Sequence, residues 1–157
     1  MSESLNNLRF DSIDQVLDFA VTKEEEARDF YLEWAQKVKN MGIREVLDEF
    51  AAEEQKHKDM ILNVKAGGAF KTKPGEIIDL KIGDYFVTID PDEKMTYQEA
   101  LQVAIQREMG AQELYRYLQQ RSNEATLKSL FEKLALEESK HKRRLEQLFD
   151  EDILIEN

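Results

Sequence analysis

Apolar residues recur every three or four positions in four separate stretches of the chain, with polar residues between them. That spacing places the apolar side chains on one face of a helix with 3.6 residues per turn. The pattern therefore predicts four amphipathic helices, over residues 13–40, 43–66, 97–122 and 124–149. Helices of this kind bury their apolar stripes against one another, so we expect an all-α four-helix bundle in a single domain, residues 1–157.

Capping signals mark where three of these helices begin. Ser12 followed by Gln15, and Thr96 followed by Glu99, both have the form of a capping box. Asn123 is the expected cap of the fourth helix, because its side-chain oxygen can accept a bond from a free backbone N–H.

Residues 67–95 differ in kind, since they contain both prolines and several of the glycines. Residues 77–82 alternate in part between apolar and polar, and residues 84–89 are rich in strand formers, which predicts one or two short strands. A long crossover between two helical hairpins is one known way to build a four-helix bundle. The final residues are too few for another domain, and we expect the apolar residues 153–155 to dock on the bundle or on a partner.

Composition narrows the function. The 33 acidic and 22 basic residues give a net charge of −11, which disfavours binding to nucleic acid or to an anionic membrane. The absence of cysteine excludes disulfides, thiolate metal sites and a cysteine nucleophile. The N-terminus lacks the pattern of a signal peptide, and no apolar run approaches the roughly 20 residues of a membrane span. We expect a cytoplasmic protein.

Six polar residues interrupt the apolar stripes, at positions that the periodicity assigns to the core. They are Glu24, Glu54, His57, Glu108, Glu138 and His141. The set contains both histidines of the chain, and each lies three positions after a glutamate, hence on the same helix face. A carboxylate and an imidazole that converge from one rigid helix suit a metal ion.

The two halves of the chain repeat each other at an offset of 84 positions, the distance from Glu24 to Glu108. The same offset carries the segment 53–58 onto 137–142, including both Glu-x-x-His pairs. A duplicated helical hairpin with a pseudo-twofold axis follows. The alternative is that the glutamates lie at the stripe edges and the histidines are ordinary core residues, but it must hold for all six positions at once.

The ligand set also matches a known metal geometry. In ferritin-like bundles two helices each give one glutamate and two give Glu-x-x-His, all facing inward. By twofold symmetry we expect Glu54 and Glu138 to bridge two metals. The terminal ligands would then be Glu24 with His57 on one metal, and Glu108 with His141 on the other. Carboxylate and imidazole ligands favour two iron ions, with manganese as the alternative.

These motifs resemble those of the rubrerythrin branch of the ferritin-like di-iron proteins. The shared pattern is E-x-x-A-x-x-x-Y in the first helix, from Glu24 to Tyr31, with E-x-x-H in the second. The resemblance implies a di-iron centre that reacts with hydrogen peroxide or dioxygen. It also implies that the hydroxyls of Tyr31 and Tyr115 hydrogen-bond to the ligand carboxylates. Typical rubrerythrins have a further glutamate ligand where this chain has Ala111, and they end in a rubredoxin domain with four cysteines.

The leading hypothesis is therefore an oxidoreductase that reduces peroxide or dioxygen with electrons from a separate donor protein, such as a rubredoxin. A homodimer is expected, and no nucleic-acid or membrane partner. The alternatives are a ferroxidase or iron-handling protein, manganese catalase-like chemistry on the same bundle, and an acidic interaction bundle without metal.

Overall fold

The computed structural model describes residues 8–68, 70–72, 76–77 and 95–156, and most of these residues lie in four long helices. The helices are α1 (Ile13–Lys37), α2 (Met41–Ala66), α3 (Tyr97–Arg121) and α4 (Ala125–Glu156). Two two-residue strands complete the described elements, β1 (Leu8–Arg9) and β2 (Glu76–Ile77). No helix in these ranges is long and apolar enough to cross a membrane. The four predicted helices are confirmed, and α4 runs on beyond residue 149, where the prediction ended it.

The predicted capping box forms in full at α3, whereas at α1 only the bond to the N-cap Ser12 hydroxyl forms as predicted. At α1 the Ser12 hydroxyl accepts a hydrogen bond from the Gln15 backbone N–H (3.2 Å), while the Gln15 side chain accepts one from Asp11 N–H (2.9 Å). At α3 the box closes in both directions, with Thr96 Oγ1 accepting from Glu99 N–H and Glu99 Oε1 accepting from Thr96 N–H. These side chains satisfy backbone donors that have no partner within the helix.

The turn between α1 and α2 lies earlier than predicted. The first helix was expected to reach residue 40, but α1 ends at Lys37 and Asn40 caps α2 by accepting a bond from Ile43 N–H (3.1 Å). A short side chain with an oxygen acceptor stabilises a helix start more than a helix interior. Asn40 therefore belongs to the start of α2 and not to the end of α1.

Arg44 closes this turn from the other side. Its guanidinium donates to the backbone oxygens of Ala35 (2.8 Å) and Val38 (3.0 Å). The last carbonyls of a helix have no partner within the helix, and a cation close to them is favourable. One side chain of α2 thus completes the end of α1.

The start of α4 is capped at Glu124 and not at the predicted Asn123. The Glu124 backbone oxygen accepts the first helical bond, from Lys128 N–H (3.0 Å). Its carboxylate accepts bonds from the Thr72 hydroxyl, Lys71 N–H (2.7 Å) and Thr72 N–H (3.2 Å). The bond from the Thr72 hydroxyl, followed by that from Lys71, lowers the pKa of Glu124 below its ordinary value.

Two compact units make up the chain. The first-hairpin unit comprises residues 10–74 and 121–130, and holds α1 and α2; the second-hairpin unit comprises residues 1–9, 75–120 and 131–157, and holds α3 and most of α4. Within the first, the ring of Tyr31 packs edge-on against Phe50, with centroids 5.3 Å apart. Within the second, Tyr115 stacks on Phe131 at 6.2 Å. The single-domain organisation stays a prediction.

The two strands pair in antiparallel fashion, with Leu8 opposite Ile77 and Arg9 opposite Glu76. The strand predicted over 77–82 includes Ile77; the rest of it, and the strand predicted over 84–89, lie outside the described residues. The pairing partner in β1 was not predicted, because two residues are too few to show an alternating pattern.

The added turns of α4 lie beside the start of α3. Arg144 and Glu151 form an ion pair along α4 at 3.9 Å. Burial, together with the nearby carboxylates of Asp152 and Glu151, raises the pKa of Tyr97, the first residue of α3, to about 12. The run of acids after residue 149 has no apolar periodicity, which is why the sequence pattern ended the helix too early.

Candidate metal centre

All six polar residues of the apolar stripes are buried. Their exposed fractions are 3% for Glu24, 1% for Glu54, 4% for His57, 2% for Glu108, 1% for Glu138 and 2% for His141. Each lies on a helix whose other stripe positions hold apolar core residues, so helix periodicity alone directs them inward. Carboxylates are rarely buried this deeply unless they are paired or bind a metal.

In the first-hairpin unit, Glu24 of α1 meets Glu54 and His57 of α2. His57 Nδ1 lies 3.5 Å from Glu24 Oε2 and 3.9 Å from Glu54 Oε2. One ligand atom of each residue lies within 4.8 Å of the others. We call this group the first triad. It consists of two carboxylates and one imidazole, contributed by two helices.

The second-hairpin unit repeats the arrangement with Glu108 of α3 and with Glu138 and His141 of α4. His141 Nδ1 lies 3.7 Å from Glu108 Oε1 and 3.9 Å from Glu138 Oε2. The ligand atoms of this second triad also lie within 4.8 Å of one another. The sequence repeat is therefore also a repeat of local geometry.

The histidines of both triads face the carboxylates through the same ring nitrogen, Nδ1. A neutral imidazole that binds a metal through Nδ1 must carry its proton on Nε2. The two triads are thus equivalent in donor atoms as well as in residue types. That equivalence is what a duplicated ligand set requires.

The donor chemistry of the triads fits iron or manganese. Each offers carboxylate oxygens and one imidazole nitrogen, and the sequence has no thiolate ligand to favour a softer metal. Their spacing lets the ligand atoms of one triad converge on one ion. The carboxylates and imidazoles that sequence reasoning selected lie together within each unit.

The tyrosines in the motif are core residues, with Tyr31 and Tyr115 exposed to only 2% and 1%. Their rings pack on Phe50 and Phe131 respectively. Hydrogen bonds from their hydroxyls to the ligand carboxylates stay a prediction. Ala111, where typical rubrerythrins have a further glutamate, is half-buried.

One polar cluster outside the triads escaped sequence reasoning. Glu124 binds the segment 71–72 through three hydrogen bonds. Nothing in the local pattern pairs residues that lie more than fifty positions apart along the chain. Only the fold could show this contact.

Comparisons with known proteins identify the family and the fold of this chain. A family model described as Rubrerythrin matches residues 15–94 and 99–154. A solved structure from Thermotoga maritima, described as a ferritin-like diiron-carboxylate protein, is 22% identical, with a TM-score of 0.75 over 92% of this chain and 99% of that one. No curated protein matches the sequence. The structural likeness confirms the predicted all-α, ferritin-like four-helix fold, and the family match covers most of the sequence: the chain belongs to the rubrerythrin family.

Proposed function

We propose that this chain is a di-iron oxidoreductase of rubrerythrin type, which reduces hydrogen peroxide or dioxygen with electrons from a separate donor protein. The observation that carries the proposal is the pair of buried Glu–Glu–His triads, one in each hairpin. Membership of the rubrerythrin family supports it. The neighbour from Thermotoga maritima is itself described as a diiron-carboxylate protein.

The two triads would hold two iron ions in one dinuclear centre. Glu24 with His57, and Glu108 with His141, would be the terminal ligands, while Glu54 and Glu138 would bridge. When bound, the iron pair supplies two electrons to the O–O bond of the oxidant. Reduction of one peroxide to two waters also consumes two protons, and the donor protein restores both electrons.

The protein's own part is to hold these ligands rigid and dry. The neighbouring stripe positions are apolar and closed to solvent, with Ala20, Ala104 and Phe131 exposed to 2% or less. A water-excluding site strengthens every interaction between ligand charges and the bound metal. The hydroxyls of Tyr31 and Tyr115 would orient the carboxylates from behind.

Ferroxidation for iron storage or detoxification is the second candidate, and Ala111 is the observation that favours it. The extra carboxylate of typical rubrerythrins is replaced here by a methyl group, which leaves a symmetric six-ligand set. Such a set is similar to the ferroxidase centre of bacterioferritins. Light scattering separates the candidates further, because storage requires a large hollow oligomer and the redox enzyme is expected to be a dimer.

The deciding experiment loads the protein with ferrous iron without oxygen, then mixes it with peroxide and with dioxygen separately. We expect two irons per chain, and we expect peroxide to oxidise them faster than dioxygen does. Optical spectroscopy measures both rates of oxidation. Faster oxidation by dioxygen would support the ferroxidase. Failure to bind iron would overturn the iron assignment, and uptake of manganese with release of dioxygen from peroxide would indicate catalase chemistry.

A substitution at residue 111 sharpens this experiment. Ala111→Glu restores the carboxylate of typical rubrerythrins and is expected to raise the ratio of peroxide to dioxygen reactivity, because it adds a ligand to one iron. Ala111→Gln is the matched control, with nearly the same volume and no charge. Equal ratios in the two variants would show that the carboxylate has no part in the choice of oxidant.

A further inference from the structure

The outward side of α4 carries a row of basic residues around one exposed leucine. The row is Lys133, Leu136, Lys140 and Arg143, spaced three and four apart and hence on one helix face. All four side chains are exposed, Leu136 to 55%. We call this row the basic face.

The duplicated helix α2 has the opposite character at the same positions. The offset of the sequence repeat carries the basic face onto Glu49, Ala52, Lys56 and Asp59, all of them exposed. The buried ligands of the two helices match, whereas three of these four exposed residues differ. Duplication explains the buried likeness, and it leaves the outer difference to be explained by something else.

We propose that the basic face of α4 docks an acidic electron-carrier protein. The whole chain has a net charge of −11, whereas this stretch of α4 has more basic than acidic residues outside its buried side: Lys133, Lys140, Lys142, Arg143 and Arg144 against Glu132 and Glu137. The sign of the charge is therefore locally reversed. Complementary charge steers association and fixes orientation more than it adds affinity. Leu136 supplies an apolar centre within a charged rim, as protein interfaces commonly have. The proposal rests on the proposed function, which needs such a donor.

The basic face lies on the same helix as two ligands of the second triad. Glu138 and His141 occupy the buried side of α4, within the span of the basic face. A helix with its side chains is about 10–12 Å across. A carrier seated on the basic face would therefore be separated from these ligands by the thickness of one helix.

Charge argues against the other occupants. A twofold dimer through this face would set each cation row against its own copy, since an isologous interface pairs a patch with itself. An anionic membrane attracts cations too, but one leucine offers little apolar area to insert.

The test measures binding and electron transfer separately, with an acidic rubredoxin as probe and a basic cytochrome c as comparator. Lys133→Glu/Arg143→Asp reverses the basic face. Lys39→Glu/Lys56→Asp makes the same change of net charge at exposed positions of the first-hairpin unit. We expect the first variant to weaken rubredoxin binding and slow reduction about 10–100-fold at low salt, and the control to change either by less than about threefold.

Three results would overturn the proposal. The first is an equal loss of rubredoxin binding in both variants, and the second is a basic face that binds the basic cytochrome more tightly than rubredoxin. The third is self-association of the wild type that disappears when the charges of the basic face are reversed. Dithionite, a small reductant that needs no docking, keeps the two proposals apart. If dithionite reduces the bound iron but rubredoxin does not bind, the docking proposal is overturned and the di-iron function still stands. If rubredoxin binding depends on the basic face but the protein binds no iron, the docking site is supported and the di-iron function is overturned.

Discussion

The two hairpins of this protein are alike inside and different outside. Both bury two glutamates and one histidine, with Nδ1 to carboxylate distances between 3.5 and 3.9 Å. Outside, the caps, the helix faces and the first residue of each hairpin have diverged. The comparison teaches which positions the shared chemistry requires and which became free for other uses after duplication.

The largest effect should come from removing one bridging ligand from either half. We expect Glu54→Ala and Glu138→Ala each to abolish tight binding of the second iron, because both carboxylates would contact both metals. Iron per chain, measured after gel filtration, tests this. Glu53→Ala and Glu137→Ala are the matched controls, one position away and only partly buried. If either ligand variant still binds two irons tightly, the bridging role of the substituted glutamate is wrong.

Metal removal tests the two halves together. The folded state holds the ligands in place, so binding stabilises it relative to the unfolded chain. We expect chelation to lower the melting temperature by roughly 5–15 °C, given that each kcal/mol shifts it by about 2–4 °C at this size. Differential scanning calorimetry of loaded and chelated protein measures the shift. An unchanged melting temperature would contradict a buried metal site.

The caps of the second helix in each hairpin provide a smaller, pH-dependent contrast. Asn40 caps α2 with a neutral side chain, whereas its counterpart Glu124 binds Thr72 and Lys71 with a carboxylate of lowered pKa. A carboxylate whose pKa is lower in the folded state than in the unfolded chain stabilises the fold at pH values above its ordinary, unfolded-state pKa. This stabilisation is lost as pH falls through the folded-state pKa. We expect wild type to melt at a higher temperature than Glu124→Asn at pH 7, and the difference to shrink as pH falls through the folded-state pKa of Glu124. A pH-independent difference would exclude a role for the charge.

The smallest effect concerns the residue that opens each hairpin. Ile13 begins α1, and its counterpart Tyr97 begins α3 with a buried hydroxyl that has no hydrogen-bond partner in the described part of the chain. Removing such a group relieves a desolvation cost, so Tyr97→Phe should be neutral or more stable by up to about 1 kcal/mol. Denaturant unfolding measures the change. A clear loss of stability would mean that the hydroxyl makes a contact after all.

Sequence reasoning predicted the helices and the ligand positions because both depend on periodicity. Glu54 and His57 fall on the buried face of α2 through spacing alone, and the repeat tied them to Glu138 and His141. It missed the end of α1 at Lys37, because Asn40, which lies inside the predicted first helix, is instead the N-cap of α2. It also missed the contact of Glu124 with Thr72, which depends on tertiary folding rather than on a local pattern.

The short pairing of β1 with β2 has a consequence for the order of folding. It pairs Arg9 with Glu76, two residues separated in the sequence by the whole of α1 and α2. Closing a flexible loop of about 65 residues costs roughly 4 kcal/mol of chain entropy, more than a two-residue ladder returns. The ladder can therefore form only after α1 and α2 have brought its ends near. It should be among the last contacts made during folding, and its amide protons among the first to exchange with solvent.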